Sequence, residues 1–125
     1  MNFQKVHIGH NPIRDYDAHI YYSPDQRALA VHLRDQLLET FPVGTVQIGP
    51  LFDRLVGPHP LPMFEVNFTK EHFKAITQWL SDKRGQLNIL IHEVTGHDPR
   101  DHSVGATWLG ERLALDESKL DPPPQ

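Results

Sequence analysis

The sequence predicts a single soluble α+β domain of the ferredoxin-like βαββαβ type, an antiparallel sheet with two helices on one face. Two observations support this prediction. The strand-like segments alternate apolar and polar residues, whereas the helix-like segments repeat apolar residues every three or four positions. The order strand–helix–strand occurs twice in 125 residues, a length that suits one hydrophobic core. We expect the domain to cover residues 14–116, with a loose arm over 1–13 and a disordered, proline-rich tail over 117–125.

The first strand–helix–strand unit lies in the N-terminal half. Residues 15–22 alternate and predict the first strand. A helix is expected to begin at Pro24, because Ser23 suits the N-cap and proline suits the first helical position. It should run to about Phe41, and residues 45–55 should then be mostly extended. The predicted buried stripe of this helix is Leu29, Leu33, Gln36, Leu37 and Phe41.

The second unit follows a stiff, proline-rich loop. Residues 63–68 alternate again and predict a strand. Thr69 is a candidate N-cap for the second helix, and Gly85 is placed to end that helix. Residues 87–92 predict the last strand. The residues expected on the buried face of the second helix are Phe73, Ile76, Trp79 and Leu80.

The composition excludes several classes of function. The chain has no cysteine, which rules out disulfides, thiolate metal sites and cysteine nucleophiles. Its net charge is −4 and no basic run stands out, which argues against a nucleic-acid partner. No apolar run approaches the roughly 20 residues of a membrane-spanning helix. The first residues lack the apolar stretch of a secretory signal, so we expect a cytoplasmic protein.

Polar residues are predicted on the sheet face that the two helices leave open. That face must be covered by a partner, a ligand or the chain's own tail. In this topology the first strand lies between the third and the fourth, and neighbouring strands are about 4.8 Å apart. Imidazole and carboxylate groups on the three strands can therefore converge on one ion. The residues so placed are Asp17, His19, Glu65, Asn67 and His92.

Two further histidines lie on loops within reach of this face. His59 stands between two prolines, whose fixed φ angles restrict the backbone and aim its side chain. His102 follows a turn-rich segment that can fold back over the end of the sheet. Taken singly, each histidine could instead be a neutral core or strand-end residue, and Glu65 also suits a solvated position. The other five histidines are interpreted as exposed: His7, His10, His32, His72 and His97.

The joint pattern favours a metal site. Histidines from independent segments, with carboxylates among them, are predicted on one face. Two histidines and one carboxylate are the ligand set of non-haem Fe(II) oxygenases, although imidazole also suits Zn, Cu and Ni. The pattern therefore predicts a metal site without naming the metal.

Five segments stand in one order and spacing: Tyr16–Tyr22 (YDAHIYY), Val56–Pro60 (VGPHP), Met63–Val66 (MFEV), Ile91–Gly96 (IHEVTG) and Asp101–Gly110 (DHSVGATWLG). In these segments the chain resembles the DOPA 4,5-dioxygenase family. The resemblance covers nearly everything from about residue 14 to 115. It implies a ferredoxin-like subunit that forms a dimeric α+β barrel. It also implies extradiol, 4,5-type cleavage of a catechol such as DOPA or a related aromatic acid, with Fe(II) and O₂.

The resemblance also implies roles for particular residues. His102, which precedes Trp-Leu-Gly, is expected to act as the acid/base. Asp17 stands where the family pattern has the first histidine of His-x-His, so it could supply a carboxylate ligand or change metal binding or the substrate. Glu65 stands where we expect an uncharged amide in relatives, which weakens it as a ligand. The residues expected to hold Fe(II), or Zn in a purified form, are His19, His59 and His92.

Candidate substrate contacts rest on weaker grounds. Arg54 and Arg100 could neutralise a substrate carboxylate. Tyr21 and Asn67 share the open face, although Tyr21 suits packing better. Two other functions stay open at this point. A ferredoxin-like dimer could bind a metal or small ligand without catalysis, and a lyase or isomerase could use the same scaffold.

Overall fold

The computed structural model describes residues 14–42, 44–96, 98–103 and 105–119. The predicted N-terminal arm, the predicted tail beyond residue 119, and His7, His10 and His97 lie outside the described residues. Of the predicted tail, Glu117–Lys119 form one turn of 3-10 helix. None of the helices in the described ranges is long and apolar enough to cross a lipid bilayer.

The core of the fold is a five-stranded sheet in the order β2-β3-β1-β4-β5, with every neighbouring pair antiparallel. The first four strands confirm the predicted βαββαβ order. The fifth strand is additional to the prediction, in which residues 87–92 are the last strand. It forms because the segment after the turn folds back and pairs with β4. The strands are β1 (Tyr16–Tyr21), β2 (Val46–Ile48), β3 (Met63–Phe68), β4 (Asn88–Glu93) and β5 (Ala106–Leu109).

Two long helices and one short one accompany the sheet: α1 (Arg27–Thr40), α2 (Phe73–Lys83) and α3 (Asp98–Asp101). A turn of 3-10 helix precedes each long helix. At the second of these turns Thr69 occupies the N-cap position as predicted, but its hydroxyl makes no capping hydrogen bond with the described residues. The Lys70 N–H is donated to Asp15 Oδ2 at 2.8 Å instead. Gly85, with φ +59°, follows α2 as predicted.

The hydrophobic core lies between the sheet and the two long helices. Ile76 and Leu80 of α2 are buried in it as predicted. The predicted stripe of α1 is wrong at Leu29, which is 48% exposed. The buried face is rotated toward Ala30, so that the spacing of Ala30, Leu33 and Leu37 follows the helical repeat. The strand residues of this core are Ala18, Ile20, Val46, Ile48, Phe64, Val66, Phe68, Ile89 and Ile91.

The chain itself covers part of the open sheet face. Tyr21, Met63 and Leu90 are buried there. The loop after β2 and the segment after β5 pack over them, and the Asp116 N–H is donated to the Pro58 carbonyl oxygen at 2.8 Å. The polar end of the face is left beside this cover. The covering residues are Phe52, Val56, Leu61, Ala106, Trp108, Leu113 and Leu115.

Two leucines of α1 test the helix phase. Leu33→Ala removes a side chain that is 2% exposed and is expected to lower the free energy of unfolding by about 2–5 kcal/mol. Leu29→Ala, on the solvent side, is expected to change it by no more than about 0.5 kcal/mol. Urea unfolding followed by circular dichroism measures both. Equal losses in the two variants would contradict the observed helix phase.

Candidate functional site

The four histidines selected from the sequence line one cavity of about 380 Å³. It lies at the polar end of the open sheet face. His19 and His92 reach it from β1 and β4, while His59 and His102 reach it from loops. Apolar side chains line it as well. The remaining lining residues are Arg14, Asp17, Phe52, Val56, Gly57, Pro58, Met63, Glu65, Val94 and Asp101.

His19 and His92 form the centre of the cluster. Their Nε2 atoms lie 3.0 Å apart, and their rings are nearly parallel with centroids 5.1 Å apart. His92 Nδ1 lies 2.7 Å from the Glu93 carbonyl oxygen, which can only accept, so Nδ1 carries the proton. The lone pair of His92 is therefore on Nε2 and points toward His19. This is the arrangement that metal-bound histidines adopt, with the second nitrogen held by a carbonyl.

His102 completes a set of three. Its ring centroid is 4.1 Å from that of His92. One nitrogen from each of His19, His92 and His102 lies within 4.8 Å of the other two. The loop that carries His102 is fixed by the buried Asp101 carboxylate, which accepts the N–H of Thr95 at 2.8 Å and its hydroxyl at 2.7 Å. The three nitrogens could therefore bind one ion.

His59 is close to the set but has a different partner. Its ring centroid is 4.1 Å from that of His19. Its Nδ1 lies 2.7 Å from the Tyr21 hydroxyl. The positive φ of Gly57, +54°, turns the chain before His59. The His59 N–H is donated to the Val56 carbonyl oxygen at 3.1 Å. The rigid loop thus presents a buried histidine whose first nitrogen is already occupied.

Burial keeps the imidazoles of His19, His59 and His92 neutral at pH 7. It lowers the pKa of His19 well below its usual range, and the neighbouring imidazoles lower it further. Burial also lowers the pKa of His59 to about 3 and lowers the pKa of His92. Neutral imidazole is the form that binds a metal ion. The buried Nδ1 of His19 has no hydrogen-bond partner among the described residues, as expected where a ligand or water completes a site.

The two carboxylates are held differently. Asp17 pairs with Arg14 through two hydrogen bonds and also accepts Asn67 Nδ2 at 2.6 Å. Its second oxygen is 3.8 Å from His92 Nε2. Glu65 Oε1 lies 3.9 Å from His19 Nε2 and 3.7 Å from Arg14. Burial, together with the Asp17 charge, raises the pKa of Glu65 to about 8.

A metal ion fits this donor set. Nitrogens of three histidines converge, a buried ring nitrogen lacks a partner among the described residues, and one oxygen each of Asp17 and Glu65 lies within 4.8 Å of a His19 nitrogen. Asp17 has most of its acceptor capacity satisfied by Arg14 and Asn67, so it is less available than the histidines. Imidazole with carboxylate suits Fe, Zn, Cu and Ni.

The four predicted substrate contacts do not appear among the described residues that line the cavity. Arg54 is exposed, with its guanidinium 5.9 Å from the Phe52 ring. Arg100 is 42% exposed and pairs with Glu93 and Asp101. Tyr21 and Asn67 are each 1% exposed and bond to His59 and Asp17 instead. Tyr21 and Asn67 therefore contact residues that line the cavity and do not line it themselves.

Arg14 is the cationic side chain among the described residues that line the cavity, and it is not among the residues predicted from the sequence. It precedes the first strand by two residues, and this position beside the polar face could have been predicted from the sequence. Asp101 was also missed, because its role depends on a loop contact with Thr95. Of the histidines expected at the surface, His32 is exposed as predicted, whereas His72 is half-buried.

Comparisons with known proteins show which family the chain resembles. Residues 16–119 match the Dopa 4,5-dioxygenase family. A DOPA 4,5-dioxygenase of Amanita muscaria is 32% identical over 86% of this chain, and an uncharacterized 21.2 kDa protein of Botryotinia fuckeliana is 38% identical over 82%. The chain spans 50% and 61% of the lengths of these two relatives.

A solved structure is also similar. A crystal structure from Nostoc punctiforme, whose assignment as a dioxygenase is provisional, superposes with a TM-score of 0.78 at 38% identity. The match covers 85% of this chain and 90% of that one. With the family match over most of the sequence, these likenesses show that the chain belongs to the Dopa 4,5-dioxygenase family.

Proposed function

We propose that this chain is an extradiol, 4,5-type ring-cleaving dioxygenase that acts on a catechol such as DOPA or a related aromatic acid. The observation that carries the proposal is the convergence of nitrogens from three histidines in a cavity of about 380 Å³. Family membership supports an oxygenase, and the Amanita relative supports the substrate class. Bound Fe(II) would hold the catechol and O₂ side by side and mediate a reaction that their spin states otherwise forbid.

The geometry favours a different division of labour from the one expected from the sequence. The sequence predicts His59 as a metal ligand and His102 as the acid/base. We assign His19, His92 and His102 to the ion, because their nitrogens form the compact set. His59 is then the histidine that serves the substrate, since its Nδ1 is held by Tyr21 and its ring lines the cavity.

The cavity walls suit a small aromatic molecule. Phe52, Val56 and Met63 form an apolar side against which a ring can pack, and the polar side carries the histidines. Arg14 is the cationic side chain among the described residues that line the cavity. It therefore replaces Arg54 and Arg100 as the candidate to pair with a substrate carboxylate. Its pairing with Asp17 fixes its position.

The expected homodimer and the expected cytoplasmic location stay predictions. The open sheet face is partly covered by the chain itself. A dimer would therefore have to leave room for the loop after β2 and the segment after β5.

Metal binding separates the two assignments of the histidines. Protein purified without a histidine tag is loaded anaerobically with Fe(II), and its metal content and affinity are measured. His19→Ala, His92→Ala and His102→Ala are each expected to weaken binding by at least about 100-fold, because each removes a ligand. His59→Ala is expected to retain the ion. If His59→Ala loses the ion while His102→Ala retains it, the assignment from the sequence stands instead.

Ring cleavage is tested on the same samples. With L-DOPA or caffeate and O₂, the loaded protein is expected to consume O₂ and form a yellow semialdehyde. His59→Ala is expected to lower kcat by roughly 10²–10³-fold, the usual cost of removing a hydrogen-bond donor aimed at a reacting oxygen. Stoichiometric iron without turnover of any catechol would contradict the proposed activity. Zinc as the native metal would favour a binding or hydrolytic role.

The stability of the metal-free protein should depend on pH through His59. Its pKa is about 3 in the folded chain and about 6.5 in the unfolded chain. Its contribution to stability is therefore fully present above about pH 6.5 and is lost as pH falls toward 3, by up to about 1.4 kcal/mol per pH unit. Urea unfolding in the presence of a chelator measures this slope.

Two variants isolate that contribution. Between pH 6 and pH 4, His59→Gln is expected to reduce the slope of the free energy of unfolding against pH. The reduction is up to about 1.4 kcal/mol per pH unit, which corresponds to one proton. His32→Gln, at an exposed position of α1, is the control for the replacement of one histidine. An identical slope in the wild type and His59→Gln would contradict the prediction.

A further inference from the structure

Tyr21 and His59 form a buried pair beside the metal cluster. The Tyr21 hydroxyl and His59 Nδ1 are 2.7 Å apart. Tyr21 is 1% exposed and His59 is 6% exposed. Tyr21 lies on β1 two residues after His19, so the central strand of the sheet carries both Tyr21 and His19. The Trp108 ring stacks on Tyr21 with centroids 5.9 Å apart, which holds the phenol in place.

The direction of this hydrogen bond can be argued from its surroundings. A phenol can donate or accept, and a neutral imidazole has one nitrogen of each kind. The described residues offer the Tyr21 hydroxyl no acceptor besides His59 Nδ1. If His59 donated from Nδ1, the buried phenol proton would be left without a partner, which is unfavourable.

We propose that Tyr21 is a positioning residue that donates its hydroxyl proton to His59 Nδ1 and thereby holds the His59 proton on Nε2. This inference deepens the proposed function, but the hydrogen bond itself can be tested without activity. It differs from the role expected for Tyr21 from the sequence, which was direct contact with the substrate.

The tautomer decides what His59 can do. A nitrogen that carries a proton has no lone pair for a metal ion, so His59 is kept out of the ligand set. His92 is held in the opposite way, because its Nδ1 proton is donated to the Glu93 carbonyl oxygen and its Nε2 is left free. Two buried histidines of one cluster are thus set to complementary forms. His59 offers a hydrogen-bond donor to an oxygen of the bound substrate.

Nitrogen NMR of the metal-free protein tests the proposal directly. Histidine is labelled with ¹⁵N, and long-range ¹H–¹⁵N correlation spectra at pH 7.5 identify the protonated nitrogen of each ring. In the wild type we expect the His59 proton on Nε2 and the His92 proton on Nδ1. Wild-type His59 protonated on Nδ1 would overturn the proposal, and this measurement needs no variant to fold.

Tyr21→Phe and Tyr22→Phe form a matched pair. Tyr22 is the next residue of the chain, is equally buried, and donates to Asp53 Oδ1 at 2.8 Å on the other side of the sheet. Tyr21→Phe is expected to shift the His59 tautomer toward Nδ1–H or a mixture. Tyr22→Phe is expected to leave it unchanged. A His59 spectrum that is the same in Tyr21→Phe as in the wild type would overturn the proposal.

Kinetics give a second readout if the chain has the proposed activity. Tyr21→Phe is expected to lower kcat by roughly 10–100-fold, as for other residues that orient a functional histidine, with KM and Fe(II) affinity near those of Tyr22→Phe. Loss of Fe(II) binding in Tyr21→Phe alone would contradict the separation of His59 from the ligand set. A chain that shows the predicted tautomers but cleaves no catechol would refute the proposed function and leave the Tyr21 hydrogen bond established.

Discussion

Strand β1 is paired on both sides, with β3 and with β4, and the rest of the molecule depends on this double pairing. Both registers place Asp17 opposite polar residues, Asn67 on one side and His92 on the other. His19 faces Glu65 and Leu90 in the same way. Since side chains alternate between faces, one strand sends Ala18 and Ile20 into the core and Asp17, His19 and Tyr21 to the opposite side. A slip of one residue would exchange the core and the site.

The open face has two regions with different physical character. Around Tyr21, Met63 and Leu90 it is dry and packed by the chain itself. Around His19 and His92 it is polar and borders a cavity. Tyr21 joins the two regions, because its ring packs on Trp108 and its hydroxyl reaches His59. The apolar cover thus orders the polar site.

Much of this arrangement follows from local patterns, and the rest does not. Alternation was sufficient to place His19 and His92 on one face, because the strand period of two leaves no choice of side. The apolar pattern does not predict which face of α1 is buried, since Ala30 contributes little to that pattern although it is fully buried. Strand β5 has four residues, and its formation depends on pairing with β4. The parts played by His59, His102, Arg14 and Asp101 depend on how loops close over the sheet, which no local pattern encodes.

The buried histidine cluster has a consequence for the metal-free chain. Several imidazoles are held in a buried cavity, where apolar side chains would pack more favourably. A ligand that binds only the folded chain adds to its stability in proportion to the logarithm of the ligand concentration. Small changes in stability alter the steady-state abundance of a protein in cells. The amount of this protein would then follow the supply of the ion or molecule that fills the cavity.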